Sequence, residues 1–188
     1  MPKLIVFNQV SLDGYFIDAA GDMSWAHRRQ PDAEWQTFVE GNASQGGRLL
    51  FGRVTYEMMA SFWPTPTASQ TMPTLARQMN ALPKIVFSRS LTTASWHNTR
   101  LVQDNLVAEV HNLKSEPGPD IAVLGSGSIV AQLAEAGLVD EFQVVVNPVV
   151  LGGGRTMFQG VGRKIALGLT RSRVFQNGNV LLCYAPVA

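Results

Sequence analysis

The sequence predicts an α/β protein: three layers, αβα, around a mixed, mainly parallel central sheet that finishes in a C-terminal antiparallel hairpin. Three observations predict it. Short apolar runs alternate with segments of helical spacing up to about residue 147. Several of those runs pass through glycine straight into a helix, the crossover that parallel strands need. Near the end, Gln176-Asn177-Gly178 stands between two extended segments, a short hairpin signal.

Taken in order, Leu4 to Val10 is apolar nearly throughout and reads as a central strand. Ser11-Leu-Asp-Gly14 breaks it, and an irregular loop runs on to Trp25. A helix is expected from about Asp32 to Ala43, where Trp35, Phe38 and Val39 keep helical spacing and Pro31 and Asp32 suit the first turn. Gly46-Gly47 ends it. Arg48 to Phe51 is a second strand, and Gly52-Arg-Val-Thr-Tyr-Glu57 carries it into a helix. Pro64, Pro66 and Pro73 among serines and threonines make Phe62 to Thr74 a loop, followed by a short helix at Leu75 to Asn80. Pro83 to Phe87 is the third strand, closed by Ser88-Arg89-Ser90. Thr99 to Val102 is a further strand, and Leu106 to Leu113 is helical before the turn Glu116-Pro-Gly-Pro119.

Asp120 to Gly137 reads as strand, glycine turn, helix and stop in one pass. Ile121 to Leu124 is a buried strand, and Gly125 and Gly127 let the backbone turn tightly and approach a ligand closely. Ser126 or Ser128 is placed to cap the helix, and Gly137 to end it. A helix that starts at the carboxyl end of a buried strand offers free N–H groups and its positive dipole end to an anion, most often a phosphate. It is not the Rossmann fingerprint, because Val130 stands where the third glycine would be. Phe142 to Val146 is the next strand, and Ile165 to Phe175 with Asn179 to Tyr184 make the closing hairpin.

Composition narrows the function classes. A chain of 188 residues with 46% hydrophobic content supports one domain with a substantial core. Charged residues are 15%, below the roughly 25% of an average globular chain, so a covered surface and a homodimer are expected. A net charge of +1 with no basic run gives no global field for nucleic acid or an anionic membrane. The single Cys183 rules out an internal disulfide and any multi-cysteine zinc site. With no apolar run long enough to span a bilayer and no signal-like start, the expectation is a cytoplasmic protein.

The ordered set of motifs resembles a known family. Met23-Ser-Trp25, the acid-bearing helix from Asp32 to Phe38, Leu-Leu-Phe-Gly-Arg-Val-Thr-Tyr-Glu57, Lys-Ile-Val-Phe-Ser88 and Leu-Gly-Ser-Gly-Ser128 together resemble the dihydrofolate reductase fold. Within it, Ser11-Leu-Asp-Gly14, Leu-Val-Asp-Glu141 and Asn147-Pro-Val-Val-Leu-Gly-Gly-Gly154 look more like the RibD C-terminal type, the reductase half of the bifunctional deaminase-reductase of riboflavin biosynthesis. The likeness runs from about residue 3 to 185. The deaminase half is absent, since one cysteine cannot supply its zinc ligands.

The resemblance implies an NADPH-dependent reductase acting on a small-molecule substrate, heterocyclic or ribosyl. A pterin reductase, or an NADPH-binding protein without turnover, remains the alternative. Gly125, Ser126, Gly127, Ser128 and Ile129 would hold the pyrophosphate. Gly52, Arg53 and Thr55 match a second phosphate turn, Ser88 and Arg89 the surroundings of the adenosine 2′-phosphate, and Val10 and Ile17 the backbone beside the nicotinamide carboxamide. For the proton, Asp32 matches by its spacing to Trp35 and Glu34 by its spacing to Phe38; either could instead be an ordinary first-turn acid. Asp13 and Trp25 are candidates for substrate contact, and Gly153 and Arg155 for a substrate phosphate. No metal site is implied.

Overall fold

The computed structural model describes residues 1–27, 32–44 and 47–187. Pro31 and Gly46, expected to bound the first helix, lie outside them. The strands are β1 (Leu4–Ser11), β2 (Tyr15–Asp18), β3 (Arg48–Gly52), β4 (Lys84–Phe87), β5 (Thr99–Val102), β6 (Ile121–Leu124), β7 (Glu141–Asn147), β8 (Gly154–Thr156), β9 (Leu167–Val174) and β10 (Val180–Pro186). The helices are α1 (Ala33–Ser44), α2 (Arg53–Phe62), α3 (Pro66–Thr71), α4 (Pro73–Ala81), α5 (Leu106–Ser115) and α6 (Gly127–Glu135).

Eight strands form one sheet in the order β5-β4-β3-β6-β1-β7-β10-β9. Every pairing from β5 to β7 is parallel, and β10 runs antiparallel to both β7 and β9. β2 and β8 make a separate antiparallel ribbon. Alternation along the strands sorts the core into two faces. Leu49 and Phe51 pack with Tyr56 of α2 and Leu75 and Met79 of α4. Leu50, Ile121 and Val123 point the other way, towards Val110 and Leu113 of α5 and Ile129 and Leu133 of α6. At the far end, Val145, Leu181 and Cys183 pack with Trp35 and Phe38 of α1.

Helix ends follow the expected chemistry at two points. Asp32 is the N-cap of α1, its Oδ1 accepting from the amides of Glu34 (2.9 Å) and Trp35 (3.1 Å). Gly137, at φ +69°, lets the Leu138 amide reach back to Leu133, the Schellman closure of α6.

Two local expectations are corrected. The segment from Phe62 to Thr74 is not a loop: Pro66 and Pro73 each start a helix, because a missing N–H costs nothing in a first turn, and the Thr65 hydroxyl accepts from Ala68. The stretch from Ser11 to Trp25 is not wholly irregular, since β2 and a 3-10 turn at Ser24–Ala26 lie within it. The final hairpin turns on Gln176-Asn177-Gly178, as expected. Gly178, at φ +84°, follows a turn in which its amide bonds Phe175, and Phe175 bonds Asn179 across three residues. Asn177 is held there by its amide bond to Asp32 (3.0 Å), while its Oδ1 accepts from Asn179 (2.9 Å).

Candidate functional site

β3 and β6 are neighbours, yet the helices that follow them leave to opposite faces of the sheet. The sheet therefore opens between Gly52 and Gly125, at a topological switch point where open α/β sheets bind ligands.

The two turns are fastened to each other. The Ser126 hydroxyl accepts the Gly52 amide at 2.7 Å and donates to Thr55 Oγ1 at 2.9 Å. The Ser126 amide also donates to Thr55 Oγ1, at 3.1 Å. Ser126 itself adopts a left-handed conformation, φ 56°, uncommon for a residue with a Cβ. From the other side the Gly125 amide donates to Oδ1 of the buried Asn8 at 2.8 Å. Gly125 must be glycine twice over: its φ is +59°, and a Cβ would stand 2.8 Å from Thr55 Oγ1.

Ser126 is the N-cap of α6 by position, but its hydroxyl serves Gly52 and makes no cap bond, contrary to the capping expected of it. Ser128 lies exposed in the first turn, its carbonyl accepting from Gln132, and Ile129 is buried beneath. The Gly127 and Ser128 amides meet no acceptor among the described residues. They sit at the positive end of the α6 dipole. Gly127 is small for a different reason from the one expected. A Cβ there would lie 2.8 Å from the ring of Phe16, so the β2–β8 ribbon closes down on the first turn of α6.

Arg53 opens α2 and pairs with Glu57 at 3.0 Å, with both side chains nearly half exposed. Such a pair is worth about 0–1 kcal/mol and releases easily. Ser88 follows β4 and its hydroxyl accepts from Ser90 and Leu91; Arg89 is exposed beside it. Val10 is buried near the end of β1, its carbonyl accepting from Asn147 at 3.0 Å. Ile17 is half-buried and pairs with Arg155 across the ribbon, and Arg155 is exposed.

Most of the remaining candidates are bonded to other parts of the fold. Asp32 bonds α1 with one oxygen and Asn177 with the other. The Trp35 amide, followed by those of Asn177 and Glu34 and by the Arg173 charge, holds its carboxyl below the usual range, the reverse of what a proton donor near neutral pH requires. Glu34 takes two bonds from Arg173 of β9, at 2.6 and 3.0 Å. Asp13 is a tie between loops. Its oxygens accept from Leu151 (3.1 Å) and Gly152 (2.8 Å), and the Ser11 hydroxyl with those amides lowers its carboxyl to about 2. Trp25 spends its indole N–H on the Asp22 carbonyl, and Gly153 lies half-buried beyond the Asp13 tie.

A cleft of about 430 Å³ opens at the opposite, amino edge, where Arg48, Lys84 and Thr99 begin their strands. Its lysine is not available: Nζ donates to the carbonyls of Asn80, Leu82 and His97. Among the described residues no group of three or more potential ligands could hold a metal ion, and no helix is long and apolar enough to cross a membrane.

Sequence reasoning missed Asn8 and Phe16. Asn8 carried a signal, a polar residue inside an apolar strand. Phe16 carried none, since nothing local says which helix it will cover.

Fold and crevice together define an α/β protein of the dihydrofolate reductase-like kind. The dihydrofolate reductase of Enterococcus faecalis, solved with NADP(H), superposes with a TM-score of 0.65 at 13% identity, covering 99% of this chain and 97% of that one. The chain belongs to the RibD C-terminal domain family, whose pattern matches residues 2–181. It is 30% identical to the uncharacterized protein YyaP of Bacillus subtilis (strain 168) over 182 residues, 97% of this chain and 94% of that protein. A Shewanella sp. PV-4 protein provisionally named for riboflavin biosynthesis superposes with a TM-score of 0.79 at 23% identity, covering 99% of both chains. The Thermotoga maritima diaminohydroxyphosphoribosylaminopyrimidine deaminase/5-amino-6-(5-phosphoribosylamino)uracil reductase gives 0.68 at 15% identity; 99% of this chain matches 57% of that one.

Proposed function

We propose that the chain is an NADPH-dependent reductase that acts on a small heterocyclic or ribosyl substrate. The observation that carries this reading is the Gly52–Ser126–Thr55 clamp, which brings the starts of two helices to one crevice.

The residues present fit a diphosphate. Gly127 and Ser128 offer unpaired amides, and Thr55 Oγ1 accepts two bonds while its own proton goes to no described acceptor. Arg53 and Arg89 supply cations on the same edge. Ser88, Gly52, Gly125 and Val10 stand near the carboxyl ends of four successive strands in the sheet, β4, β3, β6 and β1. At about 4.8 Å per strand that row spans roughly 14 Å, suiting an elongated ligand with its adenosine end at Ser88 and Arg89 and its nicotinamide near Val10 and Ile17. Reduced nicotinamide, when bound, supplies a hydride. The chain's part is to seat the diphosphate, exclude water and hold the substrate in contact. Arg155, exposed on the ribbon, suits a substrate phosphate.

One observation favours a second reading, an NADPH-binding protein without turnover: Asp32 and Glu34 both serve structural partners. Steady NADPH oxidation with 5-amino-6-(5-phosphoribosylamino)uracil, compared with dihydrofolate, separates the readings. Turnover with the first supports the proposal and turnover with dihydrofolate alone makes the chain a pterin reductase; binding with neither turnover leaves the second reading. We further propose a homodimer, because β9 is exposed along most of its length and shows Leu169 and Val174 at 57% and 71% exposure. Light scattering tests it.

A further inference from the structure

We propose that Asn8 is a positioning residue for the cofactor: it sets the direction of the Gly125–Ser126 peptide, so that the turn before α6 offers N–H groups and not a carbonyl oxygen to a diphosphate. The inference rests on the NADPH reading of the crevice and adds the residue that keeps the turn formed before the ligand arrives. β1 and β6 pair in parallel as far as Phe7 and Leu124. There the ladder stops, because Gly125 and Ser126 are both left-handed, at φ +59° and 56°. A left-handed serine persists only where its surroundings fix it. The Asn8 side chain takes over from the ladder. Its Oδ1 accepts from the Gly125 amide at 2.8 Å, and its Nδ2 donates to the Gly125 carbonyl over a long 3.5 Å.

Asn8 and Thr55 therefore hold opposite ends of one peptide unit. Nδ2 takes the carbonyl of Gly125, and Thr55 Oγ1 takes the N–H of Ser126 at 3.1 Å. Only Asn8 tells the two directions of that peptide apart. A hydroxyl accepts or donates, so Thr55 would serve a reversed peptide by donating to its carbonyl. An amide whose Oδ1 is committed to the Gly125 N–H has only a donor left, and a reversed peptide would set a second donor against it. The reversed carbonyl oxygen would lie on the Thr55 side, where α2 and α6 both begin, and would repel a phosphate there. The place of the side chain fits this role. Asn8 is 3% exposed, in a row of β1 that is otherwise Leu4, Val6 and Val10 and packs in the core with Ile129, Val130 and Leu133 of α6. An apolar side chain would serve that row as well; what the amide adds is its pair of bonds to Gly125.

The experiment is backbone amide NMR of the ligand-free protein, followed by an NADPH titration, on wild type, Asn8→Leu and Asn8→Asp. In Asn8→Leu a second conformation should show as relaxation dispersion or displaced resonances confined to Gly125, Ser126 and Gly127, with Val123 and Val145 unmoved. NADPH affinity should fall roughly tenfold, as the competent turn becomes a minor state, and any turnover should suffer in KM for NADPH far more than in kcat. Asn8→Asp keeps the acceptor and, when ionised, has no donor. It should bind like the leucine variant at about pH 8 and regain affinity towards about pH 6, since burial raises its carboxyl and the protonated form donates again. Should Asn8→Leu fail to fold, the two pH values of Asn8→Asp decide. The proposal is overturned if Asn8→Leu binds NADPH as wild type does, if its changes spread evenly to Val123 and Val145, or if Asn8→Asp shows no recovery on acidification. Failure of wild type to bind NADPH would sink the reductase reading instead, and the ligand-free spectra keep the two failures apart.

Discussion

Thr55 Oγ1 accepts two hydrogen bonds from one residue, the Ser126 amide at 3.1 Å and the Ser126 hydroxyl at 2.9 Å. One threonine thus fixes the left-handed turn before α6 and joins it to the start of α2. Thr55→Val keeps the shape and removes the acceptor, leaving the Ser126 amide unpaired in a half-buried turn. Stability should fall by about 1–3 kcal/mol in urea unfolding, and NADPH affinity should fall with it. Thr55→Ser should restore most of both. Equal behaviour of the valine and serine variants would remove the clamp from the account.

Gly127 tests the ribbon. In Gly127→Ala the new methyl group meets the Phe16 ring, so the variant should lose roughly 1–3 kcal/mol as an overpacked site. Phe16→Leu in the same chain should recover part of that loss. A double-mutant cycle reads the coupling, and strict additivity would mean that the ring does not rest on the glycine.

Asp13 gives the protein an acid-sensitive loop. Its folded carboxyl lies at about 2, against an ordinary value of 3.8, so the unfolded chain binds the proton more tightly. The tie therefore contributes in full above about pH 4 and is lost as the pH falls through 2. Wild type should exceed Asp13→Asn in thermal stability at neutral pH, and the gap should close between pH 4 and 2. A gap that stays constant would show that Leu151 and Gly152 do not depend on the charge.

Asp32 is expected to matter for folding and not for proton transfer. Asp32→Ala should lower the melting temperature by removing the cap and the Asn177 bond. Any reductase turnover should keep its rate and pH profile, since a carboxyl held low is ionised throughout the working range. A large fall in kcat with an unchanged melting temperature would reinstate it as the acid.

The sequence made the parallel strands and the glycine turns legible because their signals are local: apolar runs of strand length, and glycine where a chain must turn into a helix. The same locality explains the errors. Pro66 and Pro73 read as loop residues when only the length of the helix that follows shows that they begin one. Gly127 was legible as a close approach, but what approaches it is Phe16, more than a hundred residues earlier. Asp32 and Glu34 fell where first-turn acids fall, and their partners Asn177 and Arg173 lie on the last hairpin, whose position over α1 no local pattern reveals. Pairings across the whole chain decide which polar residues are free for chemistry.

The central claim is that the carboxyl-edge crevice seats the diphosphate of NADPH. Backbone amide NMR during an NADPH titration tests it most directly. The largest shifts should fall on Gly52 to Thr55 and Gly125 to Ile129, with the Arg48–Asn98 cleft at the opposite edge unmoved. Shifts centred on that cleft, or none at saturating cofactor, would contradict the account.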